Sequence, residues 1–187
     1  FIFSENNQNS GPGITRNKGI DLATSDYVLF LDADDQLAPN HIQNLSDCIL
    51  QYNSKLVIAH VYQNTSMRIL PSAKIKEYGE MISDRVFKLK DPLQAMRHEM
   101  IFVSANYCFH KKYFDGLLFS PERNFEDWLF CYHLLKKMLP ENESVFVLEE
   151  ATYLYAEDDP KSLSSNPVMD IKKFVIPALY KELIQDN

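Results

Sequence analysis

The sequence has little of what secreted or membrane-spanning proteins require. Its 187 residues include 3 cysteines, Cys48, Cys108 and Cys131, and no C-x-x-C pair. An odd number at wide spacings supports neither a zinc ribbon nor a disulfide framework. A reducing compartment therefore fits best. No apolar run approaches the roughly 18 residues that a membrane-spanning helix needs.

An excess of basic charge is also lacking. The chain carries 19 Lys and Arg against 26 Asp and Glu, which gives a net charge of −7. Nucleic acid and anionic membrane surfaces are disfavoured as partners, because both attract a basic face. The apolar content of 45% is that of an ordinary globular core. The length predicts a single domain over residues 1–187.

The most informative stretch is DYVLFLDADDQLAPN, residues 26–40, where an apolar run leads directly to three carboxylates. The run 27–31 predicts a buried strand of a parallel sheet, and Asp32, Asp34 and Asp35 follow where that strand ends. In open α/β sheets, ligands bind beyond the carboxyl ends of the strands. Crowded carboxylates repel one another unless a cation offsets them. Mg²⁺ or Mn²⁺ is the natural offset and usually also takes substrate phosphate oxygens.

The three aspartates have other interpretations. An Asp-rich surface turn is common. A calcium loop of the EF-hand kind needs a Gly that the run DADDQL does not have. A haloacid-dehalogenase phosphatase also carries D-x-D after an apolar strand. It normally has Thr or Val where this chain has Gln36, and it places the motif on its first strand. The phosphatase stays an alternative.

Apolar periodicity predicts alternating strands and helices. Helices are expected over 14–24, from Pro39 to Asn53 or Ser54, from Asp91 and Pro92 onward, over 124–139, and over 171–185 with a break at Pro177. Strands are expected over 1–3, 27–31, 56–62, 102–110, 144–149 and 152–157. The first strand, helix and strand would form a βαβ unit. This order predicts an α/β domain with a mainly parallel central sheet flanked by helices.

Residues 6–39 resemble the family 2 glycosyltransferases, which have the GT-A nucleotide-sugar fold. The family pattern is roughly N-x-G-x-x-x-A-R-N-x-G-I, then an A-x-G-D-Y turn and a strand that ends F-L-D-x-D-D. Matches fall at Asn9, Gly11, Arg16, Asn17, Gly19, Ile20, Ala23, Asp26, Tyr27, Asp32, Asp34, Asp35 and Pro39. Ser25 stands where the family usually has Gly, and Thr15 where it often has Ala.

Two later segments extend the resemblance. LLFSPERNFEDWLF, residues 117–130, is similar to the family's E-D pattern before a helix, with Glu126 and Asp127 in place. A helix capping box that starts at Asn124 would explain the same residues and is compatible with that role. In the segment 152–164, Ala156 stands where the family usually has Arg, and Lys161 is the substitute candidate.

The resemblance implies an inverting transfer of a sugar from a nucleotide-diphosphate sugar, commonly a UDP-sugar, to a hydroxyl of a saccharide or lipid-linked saccharide. It implies Mg²⁺ or Mn²⁺ held first by Asp34, with Asp32 and Asp35 as further ligands. Asp127 is expected to be the general base, and Glu126 to orient the acceptor.

For the nucleotide-sugar the expected contacts are Gly11, Arg16, Asp32 and Lys161. Gly11 allows the backbone to approach the nucleotide closely. Arg16 has an alternative role as a structural partner of Asp32, and the sequence leaves the two roles open.

The chain starts at Phe1, inside an apolar run, while relatives begin with a further strand, helix and strand. We therefore expect a catalytic domain that lacks its N-terminal portion. With half of the nucleotide pocket absent, a non-catalytic nucleotide-sugar or saccharide binding module is the alternative function. The family suggests synthesis of a bacterial surface polysaccharide in the cytoplasm, with the inner face of the membrane as an alternative place.

Overall fold

The computed structural model describes residues 2–63, 69–70, 77–97, 104–121 and 126–156. Helices in these ranges are α1 (Gly11–Leu22), α2 (His41–Tyr52), α3 (Pro92–Arg97) and α4 (Glu126–Met138). Strands are β1 (Tyr27–Leu29), β2 (Gln36–Leu37), β3 (Leu56–Gln63), β4 (Ile69–Leu70), β5 (Gly79–Ser83), β6 (Val86–Leu89), β7 (Tyr107–His110) and β8 (Val145–Tyr155). Short 3₁₀ turns cover Ser104–Asn106, Lys111–Phe114 and Leu139–Glu141.

All these strands join one sheet, in the order β1-β7-β3-β8-β6-β5, with β2 paired to β8 and β4 paired to β3. Among the described strands, β3 and β8 are parallel and the remaining pairs are antiparallel. The mainly parallel sheet that the sequence predicts is therefore a mixed sheet. A parallel pair needs a long crossover, which α4 helps to provide, whereas β5 and β6 form a hairpin through a tight turn.

The start of the chain departs from the predicted βαβ unit. Ile2 and Phe3 are 69% and 86% exposed and belong to no strand. β1 is shorter than the apolar run, buries Val28, and leaves Leu31 half exposed. β1 is the first strand in the sheet order, and it pairs with β7. The apolar run predicted cover on both faces, and β1 has it: Val28 packs in the core cluster that contains Phe130 of α4, while Tyr27 and Leu29 pack against the cluster that contains Leu45 and Cys48 of α2.

The predicted helices agree with the structure over the described residues. α2 ends as expected at Asn53, whose left-handed φ of 48° suits Asn. The carboxylate of Asp91 accepts the Gln94 N–H at 2.9 Å and caps α3. The two strands predicted around residues 149 and 150 are one continuous strand, β8. The helix predicted over 171–185 lies outside the described residues.

The core forms two layers, one on each face of the sheet. Leu56 and Ile58 of β3 pack in the cluster that includes Phe130 of α4, whereas Val57 and Ala59 pack in the cluster that includes α2. A strand covered on both faces needs apolar residues at every position. This explains why β3 begins with four consecutive apolar residues, 56–59. No helix in the described ranges is long and apolar enough to cross a membrane.

Leu56→Ala tests the role of β3 in this core. The residue is 0% exposed, so we expect its truncation to lower the free energy of unfolding by about 2–5 kcal/mol. Leu50→Ala is the matched control, because Leu50 is 78% exposed and should change stability little. Urea unfolding measures both, and equal effects of the two substitutions would contradict a core centred on β3.

Candidate active site

One guanidinium group joins the two acidic motifs. Nη2 of Arg16, on α1, lies 2.8 Å from Oδ1 of Asp32, and Nη1 donates a hydrogen bond to Oε1 of Glu126. Glu126 opens α4 and is only 6% exposed, while the Arg16 side chain is 13% exposed. The middle of α1, the loop that follows β1 and the first residue of α4 therefore meet at one corner.

Arg16 thus has the structural partner that the sequence left open, and Glu126 is a second partner that the sequence did not reveal. Its guanidinium carbon also lies 5.6 Å from the ring centroid of Phe119 and 5.9 Å from that of Phe30. Burial lowers the pKa of Arg16, but Asp32, Glu126 and the nearby Asp127 raise it further, so the net shift is upward. Arg16 is a fixed positive charge in this corner.

Asp35 is held by hydrogen bonds from β8 and from the residue that follows it. The Tyr153 hydroxyl donates to Oδ2 of Asp35 at 2.5 Å and accepts the Asp32 N–H at 3.3 Å. The Ala156 N–H donates to Oδ1 of Asp35 at 2.8 Å. Burial raises the pKa of Asp35, against the opposing effect of these hydrogen bonds. Since both oxygens of Asp35 already accept, the carboxylate supports the loop, and its metal role stays a prediction.

Asp34 differs from its neighbours in being exposed and in making no hydrogen bond or ion pair with a described residue. Within the described ranges, no group of three or more His, Cys, Asp and Glu could hold a metal ion. An all-protein cage is therefore not formed there. A Mg²⁺ ion shared with substrate phosphates needs only one or two carboxylates. Asp34, with Oδ2 of Asp32, fits that smaller requirement.

A cleft of about 610 Å³ opens beside this corner. It is lined by Asn6, Gln8, Asn9, Ser10, Gly11, Pro12, Thr15, Arg16, Phe30, Leu31, Asp32 and Ala33. Three of the residues predicted to contact the nucleotide-sugar, Gly11, Arg16 and Asp32, are thus on one wall. Gly11 has a φ of 82°, which favours glycine, and its N–H donates to the Asn9 side chain at 3.2 Å. The fourth, Lys161, lies outside the described residues.

Asp127 lies in the first turn of α4, where its Oδ1 accepts the Trp128 N–H at 3.0 Å. Burial raises the pKa of Asp127 to about 6, with help from the charge of Glu126 and against the charge of Arg16. A carboxyl group that titrates near neutrality can take up a proton and release it again. Asp127 is therefore a candidate general base, and this role stays a prediction.

Two residues important for this geometry were not singled out from the sequence. Gly13 and Asn17 lie on the same side of α1 as Arg16 and contact the segment that precedes α4. The available signal is that Arg16 and Asn17 lie three and four residues after Gly13, because residues at those spacings share a helix face.

The chain is similar to known proteins over most of its length. Residues 1–118 match the family model described as Glycosyl transferase family 2. The chain is 26% identical over 166 residues to EpsJ, an uncharacterized glycosyltransferase of Bacillus subtilis (strain 168). The matched region covers 85% of this chain and 45% of EpsJ. The chain is 23% identical over 152 residues to the glycosyltransferase GlyA of Streptococcus pneumoniae serotype 4, covering 79% of this chain and 21% of GlyA.

Solved structures show the same fold. The crystal structure of residues 1-349 of S. aureus TarS in complex with UDP-GlcNAc superposes with a TM-score of 0.66 at 17% identity, over 83% of this chain and 42% of that TarS fragment. The structure of TarS with UDP gives a TM-score of 0.62 at 18% identity. The expected GT-A-like α/β architecture is confirmed by this likeness. The chain spans less than half the length of these relatives.

Arg16→Met tests whether the guanidinium holds the two motifs together. Glu126 would be left buried without a counter-charge, so we expect the free energy of unfolding to fall by about 3 kcal/mol. Glu126→Gln in the Arg16→Met background should recover part of this loss, since the stranded charge is removed. A double-mutant cycle by urea unfolding measures the coupling. Additive effects would show that the pair does not link α1 to α4.

Proposed function

The chain belongs to glycosyl transferase family 2, and we propose that it forms part of an enzyme that transfers a sugar from a nucleotide-diphosphate sugar to a hydroxyl of a saccharide acceptor. The observation that carries the proposal is the ion pair of Arg16 with both Asp32 and Glu126. Through it, the D-x-D loop lies beside Glu126, the residue that precedes the general-base candidate Asp127.

A UDP-sugar is the proposed donor. The similar fold of TarS, solved with UDP-GlcNAc and with UDP, supports a nucleotide site of this kind. The cleft wall formed by Gly11, Arg16 and Asp32 is where we place the nucleotide-sugar. Lys161 is retained as a candidate contact to the diphosphate, in the place of the Arg that relatives usually carry.

The local charge explains why a cation would be required. Several carboxylates surround Arg16, and two of them already share its positive charge. A diphosphate brought to this corner would meet net negative charge and be repelled. Asp34 and Oδ2 of Asp32 would hold Mg²⁺ or Mn²⁺, with Asp35 as the less accessible third candidate. Such an ion, when bound, supplies neutralisation of the charge that grows on the leaving diphosphate.

Asp127 is the proposed general base. The acceptor hydroxyl must lose its proton as its oxygen attacks the anomeric carbon. A single in-line displacement by that oxygen inverts the configuration at this carbon, and the nucleoside diphosphate leaves on the opposite side. Glu126 is proposed to orient the acceptor through the part of its carboxylate that Arg16 does not occupy.

Asp127→Asn should abolish transfer and leave UDP binding largely intact. Loss of a general base typically costs about 10²- to 10⁴-fold in kcat. In the unsubstituted enzyme, kcat should rise with pH through about 6, where Asp127 ionises. Because the pKa of Asp127 is raised in the folded state, the free energy of unfolding should fall as the pH rises from the ordinary pKa of an aspartate to about 6.

The neutral Asn should therefore raise the melting temperature at pH 7.5, which separates lost chemistry from misfolding. Asp84→Asn is the control, because Asp84 is exposed in the turn between β5 and β6. It should change neither kcat nor its pH dependence. Near-normal turnover by Asp127→Asn would remove Asp127 as the base.

Asp34→Ala tests the metal scheme. We expect the substitution to abolish Mn²⁺-dependent binding of UDP measured by calorimetry, because Asp34 is exposed and makes no hydrogen bond or ion pair with a described residue. Asp84→Ala should bind as the unsubstituted protein does. Tight UDP binding that persists with EDTA would contradict a metal-assisted site. Metal-dependent binding without any transfer to saccharide acceptors would favour the binding-module alternative.

A further inference from the structure

We propose that Gly13 and Asn17 are positioning residues that hold the first turn of α4, and with it Asp127, against the strand that carries D-x-D. Neither residue touches a reacting group. Both act through the segment 117–121, which precedes α4. The inference rests on the proposed function, since it concerns where that reaction's base is held.

Asn17 binds both backbone polar groups of a single residue. Its Nδ2 donates to the carbonyl of Phe119 at 3.0 Å, and its Oδ1 accepts the Phe119 N–H at 2.9 Å. This two-point pairing resembles one rung of a strand ladder. Because donor and acceptor are both engaged, the backbone at Phe119 can neither slide nor rotate without breaking a hydrogen bond.

Phe119 passes this restraint to α4 through its ring. The ring stacks on that of Phe130, with centroids 3.8 Å apart and planes 8° apart. It also meets the ring of Phe30 edge-on, at 5.4 Å and 80°. Phe130 lies one helical turn after Glu126, on the same face. Contacts among the three rings therefore fix the position of α4 relative to the end of β1, which leads into D-x-D.

Gly13 sets the distance between α1 and this segment. A Cβ at Gly13 would lie 2.5 Å from the carbonyl oxygen of Ser120 and 3.1 Å from Cγ of Glu126. Only glycine permits this approach without displacement of the backbone of the segment. The ion pair from Arg16 to Glu126, on the same face of α1, depends on that approach.

The chemistry is sensitive to such positioning. A misplacement of about 1 Å of a catalytic group can cost about 10²-fold in rate. The charged and titratable groups that face Asp127 are Arg16 from α1, Glu126 and Cys131 from α4, and Tyr107 from β7. A displaced first turn would admit water to Asp127 and lower its raised pKa.

The experiment uses two matched pairs in the full-length enzyme. Gly13→Ala is compared with Gly19→Ala in the same helix, since a Cβ at Gly19 meets no heavy atom within 4 Å. Asn17→Ala is compared with Ser54→Ala. The Ser54 hydroxyl likewise bonds both the C=O and the N–H of one residue, Leu56, at 2.8 and 3.3 Å, at the end of β3 far from Tyr153.

We expect Gly13→Ala and Asn17→Ala to lower kcat by about 10- to 100-fold, with UDP affinity nearly unchanged. The acid limb of the kcat–pH profile should move to lower pH in both. Gly19→Ala and Ser54→Ala should leave kcat and the acid limb of the kcat–pH profile unchanged, even where their melting temperatures fall. Asn17→Asp keeps the acceptor for the Phe119 N–H but sets a carboxylate oxygen against the Phe119 carbonyl oxygen, so it should lower kcat at least as far as Asn17→Ala does.

Unchanged kcat and an unmoved acid limb in folded Gly13→Ala or Asn17→Asp would overturn the positioning role. A fall in melting temperature alone, equal to that of Ser54→Ala, would do the same. Failure of the proposed function looks different, because Asp127→Asn would then keep its turnover and the unsubstituted enzyme would show no limb near pH 6.

Discussion

The guanidinium of Arg16 between Asp32 and Glu126 is the interaction on which the site depends. Removing one partner from a buried ion pair leaves an uncompensated charge, which costs far more than the pair itself contributes. The three side chains therefore specify one another's positions. Since the three side chains belong to three different parts of the fold, these ion pairs also define how α1, the D-x-D loop and α4 meet.

The two sides of this corner are supported independently. The D-x-D loop is held from the C-terminal end of β8, where Tyr153 and Ala156 bind Asp35. The first turn of α4 is held from α1 and the segment 117–121. The parallel pairing of β3 with β8 sets where β8 ends. The sheet thus places the loop, while helix and ring packing place the base candidate.

The site is built at a cost to stability. A carboxylate whose pKa is raised to about 6 by burial is less stable in its ionised form when folded. A neutral residue in place of Asp127 is therefore expected to make the fold more stable at neutral pH. The remaining structure offsets this cost with a core in which β3 and the face of α4 that includes Phe130 are buried.

Local sequence determined what depends on near neighbours: the helices, the cap at Asp91, the left-handed end of α2 at Asn53, and the motifs by which the family is recognised. Periodicity and capping act within a few residues, so they are legible in the chain. Tertiary structure alone decided the mixed sheet, the short β1, the pairing of Arg16 with Glu126 and the clamp of Asn17 on Phe119. Each of these joins residues distant in sequence, and which partners meet depends on how all the layers pack together.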